Sequence, residues 1–375
     1  MHLFCAQTAL AEALDLASQA VPSKAVIPIL SHVLLSADPR DGTTLTATDL
    51  EIGILAHLEA ELVEPGRLAV PAKLLLDLVK RLPATDRLEL RSDDRHTLTI
   101  AAPRNLTHIR GQDAEQYPRL AGGELFGSAF FIESAALKVA IESSAFAASK
   151  DTARPTLTGV YLDAQGEQLY LVGADSFRLA RAGIPFTGAL PQPLLIPARA
   201  LLHLARILPP DDTVECHVSE RRDRVKFVTR RLIFHAHLLS ETFPEYRRMY
   251  PDPERLHLHI TAPRDELLAH LRRAMLFAPE GHGLTLDFQQ ELGGWQLRME
   301  SSNQEVGRSQ HELPVEAEGD PMSLVLNSTY LKDALEAMES ERVRLEVQSP
   351  RAALVLTPVG GEARDSVLMP MFVNR

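Results

Sequence analysis

Few acids, histidines or nucleophilic side chains in this sequence stand at spacings that would support catalysis. The chain has no nucleophile elbow, no HExxH zinc motif, no P-loop and no GxGxxG fingerprint. Asp49 and Asp175 recur in similar surroundings, but a repeated acid is more easily a turn or capping residue than a general base. The sequence therefore predicts no catalytic residues. An enzyme on a duplicated α+β fold stays an alternative, because many active sites carry no local signature.

Alternating histidines offer a second possible chemistry. His235 and His237 share one face of a predicted strand, as do His257 and His259. A His-x-His pair holds zinc only with a third ligand and usually an acidic or cysteine partner. Spacing places none beside either pair, so the sequence predicts no metal and no cofactor.

Positive charge on predicted helices is the stronger signal. Such a surface would attract a phosphate backbone without reading bases. Any amphipathic helix also turns its lysines to water, but Lys73 recurs in register with Arg199, and Lys80 with Arg206. Three glutamates around Lys332 weaken the pattern in the third repeat. The candidate DNA-binding residues, in or just after helices, are Lys24, Lys73, Lys80, Lys138, Lys150, Arg154, Arg199 and Arg206.

These helices belong to a long internal repeat. Residues 196–209 (IPARALLHLARILP) repeat the pattern of residues 70–83 (VPAKLLLDLVKRLP), and a weaker copy begins at Leu326. Apolar residues recur at helical spacing, and Pro197 suits a first helical position. A period of about 125 residues is too long for a solenoid unit and has the size of a whole domain.

The fold class predicted is α+β, with three tandem repeats at residues 1–122, 123–254 and 255–375. Each repeat predicts helix, strands, helix, strands, and strands are expected at residues 26–36, 156–162 and 168–179. Two short amphipathic helices must share one side of an antiparallel sheet to bury their apolar faces. Three units in line would place six helices on one side of the molecule.

The overall composition and net charge limit the classes of function that the chain could have. A net charge of −11 over 375 residues argues against a groove-reading DNA binder, but not against basic residues confined to one surface. No apolar run is long enough to span a membrane, and the N-terminus does not resemble a signal peptide. Two cysteines, Cys5 and Cys216, fit a reducing cytoplasm. We therefore expect a cytoplasmic protein.

The motifs, taken in order, resemble the DNA polymerase III β subunit family, the bacterial sliding clamps. The resemblance runs from end to end and rests on residues 27–30 (IPIL), 46–51 (TATDLE), 70–73 (VPAK), 174–179 (ADSFRL), 243–248 (FPEYRR) and 367–371 (VLMPM). It implies a non-catalytic processivity factor. It also implies a head-to-tail homodimer whose ring encloses duplex DNA, which would reconcile an acidic chain with a basic lining.

The resemblance further implies partners and a pocket. The partners would be double-stranded DNA bound independently of sequence, the polymerase III alpha subunit, the clamp loader and other proteins with clamp-binding peptides, with no membrane. An apolar pocket between the second and third domains would take a hydrophobic anchor. Carried over by motif, its residues are Leu157, Ala174, Ser176, Phe177, Arg178, Leu179, Pro244, Arg248, Met249, Val367, Met369, Pro370 and Met371.

Three places depart from the family pattern. Ser176-Phe177 stands where Gly-His is common, which could reshape the pocket floor. Pro155-Thr156 stands where aromatics can occur near DNA. The tail, residues 372–375, could alter partner choice. A monomeric protein-binding scaffold that never touches DNA is the remaining alternative, and it predicts that the lysines on the helices are dispensable.

Overall fold

The computed structural model describes residues 1–85, 87–120, 125–278, 282–361 and 363–371. Six α-helices lie within these residues, two in each repeat. They are α1 (Gln7–Ser18), α2 (Ala72–Val79), α3 (Ser134–Ser144), α4 (Ala198–Ile207), α5 (Arg264–Met275) and α6 (Ser328–Glu336).

Antiparallel strands make up most of the rest. The first repeat contributes β1 (His2–Cys5), β2 (His32–Asp38), β3 (Gly42–Thr48), β4 (Ile52–Leu58), β5 (Ala60–Glu64), β6 (Gly66–Pro71), β7 (Leu88–Ser92), β8 (Thr97–Ala102) and β9 (Asn105–Arg110). The second contributes β10 (Phe126–Glu133), β11 (Gly159–Gln165), β12 (Gln168–Ala174), β13 (Arg178–Pro185), β14 (Thr187–Gly188), β15 (Leu194–Pro197), β16 (Thr213–Ser219), β17 (Arg224–Val228) and β18 (Leu232–His237). The third contributes β19 (Leu258–Pro263), β20 (Gly283–Glu291), β21 (Gly294–Asn303), β22 (Gly307–Gly319), β23 (Met322–Asn327), β24 (Arg342–Val347), β25 (Leu354–Pro358) and β26 (Arg364–Leu368).

The chain divides into two compact units. The first comprises Met1–Ala135, Thr187–Ala189 and Arg206–Leu238, and the second comprises Ala136–Phe186, Leu190–Ala205 and Leu239–Arg375. The first unit holds a five-stranded sheet, β5-β1-β7-β8-β9, and a nine-stranded sheet, β14-β10-β16-β17-β18-β4-β3-β2-β6. The second unit holds a twelve-stranded sheet, β15-β11-β12-β13-β26-β25-β24-β19-β22-β21-β20-β23.

One strand-pairing rule describes both junctions between successive repeats. In the first unit β18, the last strand of the second repeat, pairs with β4 of the first repeat. In the second unit β26, the last strand of the third repeat, pairs with β13 of the second repeat. In both junctions the second residue of the last strand faces the fourth residue of its partner, Ile233 opposite Leu55 and Asp365 opposite Arg181.

The helices bury the apolar faces that their spacing predicts. In α4 and the residue after it, Leu201, Leu204, Ala205 and Leu208 are buried, which confirms the predicted face. The equivalent series in the first helix of each repeat is also fully buried: Leu10 and Leu14, Leu137 and Ile141, and Leu267 and Leu271. Each buried leucine contributes about 1.5–3 kcal/mol, so these faces fix the helices on their sheets.

Two strand predictions were wrong at their starts. Residues 26–31 were expected in a strand, but Pro28–Ser31 forms a 3-10 turn and β2 begins at His32. In the second repeat Pro155–Thr158 forms the matching turn, and β11 begins at Gly159. Proline fixes its φ near the value such a turn needs, and this local preference prevails over the β-branched neighbours.

The predicted position of proline at the helix starts was also wrong. Pro71 and Pro197 are the last residues of β6 and β15, and the helices begin at Ala72 and Ala198. Pro71 has extended ψ (112°), so it stands before the first turn of α2 rather than in it. In the third repeat, residues 322–327 form β23, and α6 begins only at Ser328.

Only one of the two predicted domain limits falls on described residues. The limit after residue 122 lies outside the described residues, and the limit after residue 254 lies within the 3-10 turn Pro253–Arg255. These limits stay predictions.

Candidate functional site

The two repeated acids are turn residues. Asp49 Oδ1 accepts the backbone N–H groups of Glu51 and Ile52 at 3.0 and 2.8 Å. Asp175 Oδ1 accepts those of Phe177 and Arg178, both at 3.1 Å. These bonds close the turns between β3 and β4 and between β12 and β13, which confirms the turn interpretation.

The eight candidate DNA-binding side chains are all exposed. Lys73 lies on α2, Lys138 on α3, Arg199 and Arg206 on α4, and the others lie in segments that follow helices. Lys80 binds Asp15 at 2.6 Å, so part of its charge is neutralised. Within the described part of the chain, six make no ion pair: Lys24, Lys73, Lys138, Lys150, Arg154 and Arg206.

Most of the positive charge on the described helices of the third repeat is compensated, and the exception is exposed Arg273 of α5. Arg264 pairs with Asp265 at 2.7 Å, and Arg272 with Glu336 at 2.8 Å. Lys332 lies 3.5 Å from a carboxylate oxygen of its neighbour Asp333. Uncompensated positive charge is therefore concentrated on the helices of the first two repeats, as the glutamates around Lys332 suggested.

Six of the predicted pocket residues meet in one apolar cluster in the second unit. Leu157, Ala174, Leu179 and Val367 are buried members, and Met249 and Met369 pack against them, half-buried. The resemblance did not supply the cluster's other buried members, Val172, Leu195, Phe243, Tyr246 and Ala353. Phe243 stacks on Tyr161 with ring centroids 5.0 Å apart, which makes one aromatic wall.

The remaining pocket residues frame this cluster. Phe177 leaves 59% of its surface exposed, and its backbone carbonyl accepts the N–H of Met369 at 2.8 Å. Met371 donates its N–H to Val325 at 2.7 Å, so the chain stays attached up to its last described residue. Pro370 is buried, while Ser176, Pro244 and Arg248 are exposed. The tail after Met371, for which we predicted an effect on partner choice, lies outside the described residues.

Arg178 differs from the other predicted pocket residues because its buried side chain is held by several charged and polar partners. Its guanidinium binds Asp175 at 3.0 Å and Asp333 at 2.7 Å, and donates to the carbonyl of Phe146 at 2.8 Å. It also lies over the ring of Tyr330, 4.4 Å from the centroid. A buried guanidinium with so many partners fixes the turn. The ligand contact predicted for Arg178 stays a prediction.

Arg154 is placed beside the predicted pocket. Its Nη1 donates to Ser176 Oγ at 2.9 Å. Ser176 has φ of 83°, a region that favours glycine, and its counterpart Leu50 has φ of 78°. The hydroxyl therefore links the segment before β11 to the turn that presents Phe177. The DNA contact predicted for Arg154 stays a prediction.

Histidines and cysteines form no separate site in the described part of the chain. No group of three or more His, Cys, Asp or Glu there could hold a metal ion. Burial and the nearby Lys226 and Arg224 lower the pKa of His235 to about 4, so this ring is neutral at physiological pH. Burial raises the pKa of Cys5 to about 12, which keeps that thiol unreactive. None of the described helices is long and apolar enough to cross a membrane.

Three repeats of two helices on antiparallel sheets, joined strand to strand, define the three-domain sliding-clamp fold. Three family descriptions match in order: the N-terminal domain of the DNA polymerase III beta subunit at residues 1–121, its central domain at 131–245 and its C-terminal domain at 251–372. The chain therefore belongs to the DNA polymerase III beta subunit family, whose members are non-catalytic processivity factors.

Full-length relatives agree with this assignment. The beta sliding clamp of Synechocystis is 30% identical, with 99% of each chain covered, and that of Pseudomonas putida is 28% identical, with 99% of this chain and 100% of the relative covered. A solved sliding clamp of Pseudomonas aeruginosa bound to griselimycin superposes with a TM-score of 0.91 at 26% identity over the whole of both chains. The Bacillus subtilis clamp superposes equally well, with a TM-score of 0.91 at 24% identity over both whole chains, and supports the fold.

Proposed function

We propose that two copies of this chain close head to tail into a ring around duplex DNA and tether the replicative polymerase to it. The observation that carries this proposal is the strand-pairing rule. The last strands β18 and β26 each pair with a strand of another repeat, whereas β9 pairs with no strand of another repeat within the described residues. Conversely β22, the third repeat's counterpart of β4 and β13, receives the last strand of no other repeat within the described residues.

Both strands have an open edge within the described residues. There β9 ends the five-stranded sheet and pairs only with β8. Residues 307–315 of β22 pair with β21 on one side, while β19 takes only residues 316–319. Long open edges favour pairing with another chain, and proteins rarely leave them uncovered.

Exposed apolar side chains lie beside the same edges. Leu106 on β9 leaves 66% of its surface exposed, and Leu276, directly after α5, leaves 74% exposed. Val306, directly before β22, is exposed as well. A second copy that covered these edges would bury all three, and a head-to-tail pairing used twice closes a two-fold ring.

The strand-pairing rule also predicts the register in which β9 of one copy would pair with β22 of the other. Leu106 is the second residue of β9 and Gln310 the fourth residue of β22, so they occupy the positions of Ile233 and Leu55. The copies should therefore meet with Leu106 of one opposite Gln310 of the other. Directly opposed Cα atoms lie about 4.5–5.5 Å apart, within the range of a disulfide.

Cross-linking tests this register. A chain carrying Leu106→Cys and Gln310→Cys should form covalent dimers under mild oxidation, closed by two disulfides per ring. Non-reducing gel electrophoresis would resolve them from singly linked dimers. The native cysteines are buried and should not compete. The matched control pairs Leu106→Cys with Glu312→Cys, two residues further along the same face, and should cross-link poorly. Equal yields from both pairs would contradict the register.

The basic helix residues are proposed to face the DNA. A ring holds DNA topologically, so a modest positive lining is enough and the acidic exterior limits other DNA contacts. Replacing Lys24, Lys73, Lys138 and Lys150 with glutamine removes eight charges per ring. We expect about fivefold less protein retained on nicked circular DNA, and a weaker salt dependence. Spin-column retention with quantitative blotting measures this.

The control for charge removes as many cations from hairpin turns. Arg40, Arg95, Arg221 and Arg351 are exposed in turns between strands, and their replacement with glutamine changes net charge equally. This control should keep retention near that of the unaltered chain. Equal losses of retention in the two variants would mean that net charge, and not the position of the lysines, controls retention. Unchanged retention in the lysine variant would exclude the proposed DNA-facing role of these lysines.

The apolar cluster in the second unit is proposed as the partner site. It combines buried aliphatic side chains, half-buried Met249 and Met369, and exposed Arg248 at its border. Flexible, polarisable methionines suit a surface that accepts several related peptides. The partners proposed are the polymerase III alpha subunit, the clamp loader and other proteins with clamp-binding peptides, all acting in the cytoplasm. Griselimycin, bound to the Pseudomonas aeruginosa clamp, is the probe we choose for this site.

A further inference from the structure

The segment between β18 and β19 carries one wall of the proposed partner site, and it has little regular structure of its own. Its 3-10 turn Tyr246–Met249 brings Tyr246 and Met249 to the cluster, and Arg248 is exposed next to Met249. Three or four residues of 3-10 helix are not stable alone. Something outside the turn must therefore hold it.

Two buried carboxylates bind the turn, one at each end. At its start, the Tyr246 hydroxyl donates to Asp163 Oδ2 at 3.0 Å, and Arg247 Nη2 binds the same oxygen at 2.6 Å. Directly after its end, the Tyr250 hydroxyl donates to Asp365 Oδ1. Asp163 and Asp365 are 9% and 7% exposed, so these bonds are largely screened from water.

The carboxylates are themselves fixed by neighbouring strands. Asp163 lies on β11 and also accepts from Gln165 at 2.9 Å. Asp365 lies on β26, where Arg181 of β13 holds its Oδ2 with two bonds of 2.9 and 2.6 Å. The Arg181 guanidinium lies 5.2 Å from the ring centroid of Tyr250. Burial and Asp365 raise the pKa of Tyr250 well above its usual range, so its hydroxyl remains a donor.

We propose that Asp163 and Asp365 are positioning residues that clamp the turn Tyr246–Met249 at both ends and so set the geometry of the Arg248–Met249 wall. They touch no ligand themselves. One carboxylate comes from a strand of the second repeat and the other from the last strand of the third. Partner affinity therefore depends on how these two strands are held together. This inference rests on the proposed partner site.

Removing one hydroxyl at each end tests the clamp. Tyr250→Phe and Tyr246→Phe keep the rings and should each weaken griselimycin binding about tenfold, because a buried hydrogen bond to a charged group is lost. The matched control is Tyr170→Phe, whose ring contacts the same Arg181 guanidinium from β12 but which lies outside the turn. It should bind like the unaltered chain. Circular dichroism first establishes that every variant is folded. Isothermal titration calorimetry then measures the affinity of each variant for griselimycin.

A second readout follows the wall itself. In protein labelled at the methionine ε-methyl carbons, the Met249 signal should shift or broaden in Tyr250→Phe and keep its position in Tyr170→Phe. Equal losses of griselimycin affinity in all three variants would mean that the substitutions destabilise the core in general. That result would overturn the clamp. Unchanged affinity in Tyr250→Phe or in Tyr246→Phe would overturn its two-ended form. Failure of the unaltered chain to bind griselimycin would instead contradict the partner site, and the inference with it.

Discussion

Leu106→Asp should convert the dimer into monomers. Leu106 is exposed on the open edge of β9, and the proposed ring buries it at both interfaces. Each substitution removes about 2 kcal/mol of apolar burial and adds a carboxylate without a partner, which costs more again. Over two interfaces the dimer dissociation constant should rise at least about 1,000-fold. Sedimentation velocity from nanomolar to micromolar protein measures the change.

An exposed leucine elsewhere provides the control. Leu292 lies fully exposed in the turn between β20 and β21, outside β9 and β22. Leu292→Asp should keep the dimer at the affinity of the unaltered chain. Both variants should retain their thermal midpoints as folded chains, because neither leucine belongs to a core. A Leu106→Asp protein that dimerises normally would show that β9 is not the interface.

Ending the chain after Leu368 should remove partner binding without unfolding the protein. Strand β26 ends at Leu368, so its pairing with β13 and β25 stays complete. The cut removes the Met369 side chain from the cluster, its bond to Phe177 and the buried Pro370. Losing a methionine anchor and one wall of an apolar site costs about 3 kcal/mol or more. Griselimycin affinity should fall at least about 100-fold by isothermal titration.

A shorter deletion separates the site from the tail. A chain ending at Met371 keeps every described contact of the pocket and should bind griselimycin like the full chain. A large loss in this control would assign the effect to residues 372–375. Normal binding by the chain ending at Leu368 would remove the proposed partner site.

The sequence predicted those features that local spacing controls. Leucines at helical spacing identified the buried face of α4, and the repeated Asp49 and Asp175 were correctly interpreted as turn residues. Local preference also misled: β-branched residues around Pro28 suggested a strand where the chain makes a 3-10 turn. Such short turns depend on one proline and a few hydrogen bonds, which periodicity does not show.

Contacts between distant segments could not be predicted in this way. Asp163 binds Tyr246 across 83 residues, and Asp365 binds Tyr250 across 115. A sequence shows these as ordinary acids and tyrosines, because contacts over such separations depend on the fold; Asp365, for example, lies on β26, which pairs with β13 of the second repeat. The pocket residues came from the family resemblance, whereas the residues that hold its wall came from the structure. The open edges of β9 and β22 likewise required the sheet order.

The most direct test of the ring is retention on DNA with and without free ends. The protein is loaded onto nicked circular duplex by a clamp loader, separated from free protein by gel filtration, and assayed before and after a restriction enzyme linearises the circle. A ring held by topology should stay on the circle and leave after cutting. Retention on both forms would mean ordinary binding to DNA, and loss from both after demonstrated loading would mean that no closed ring forms; either result would contradict the account.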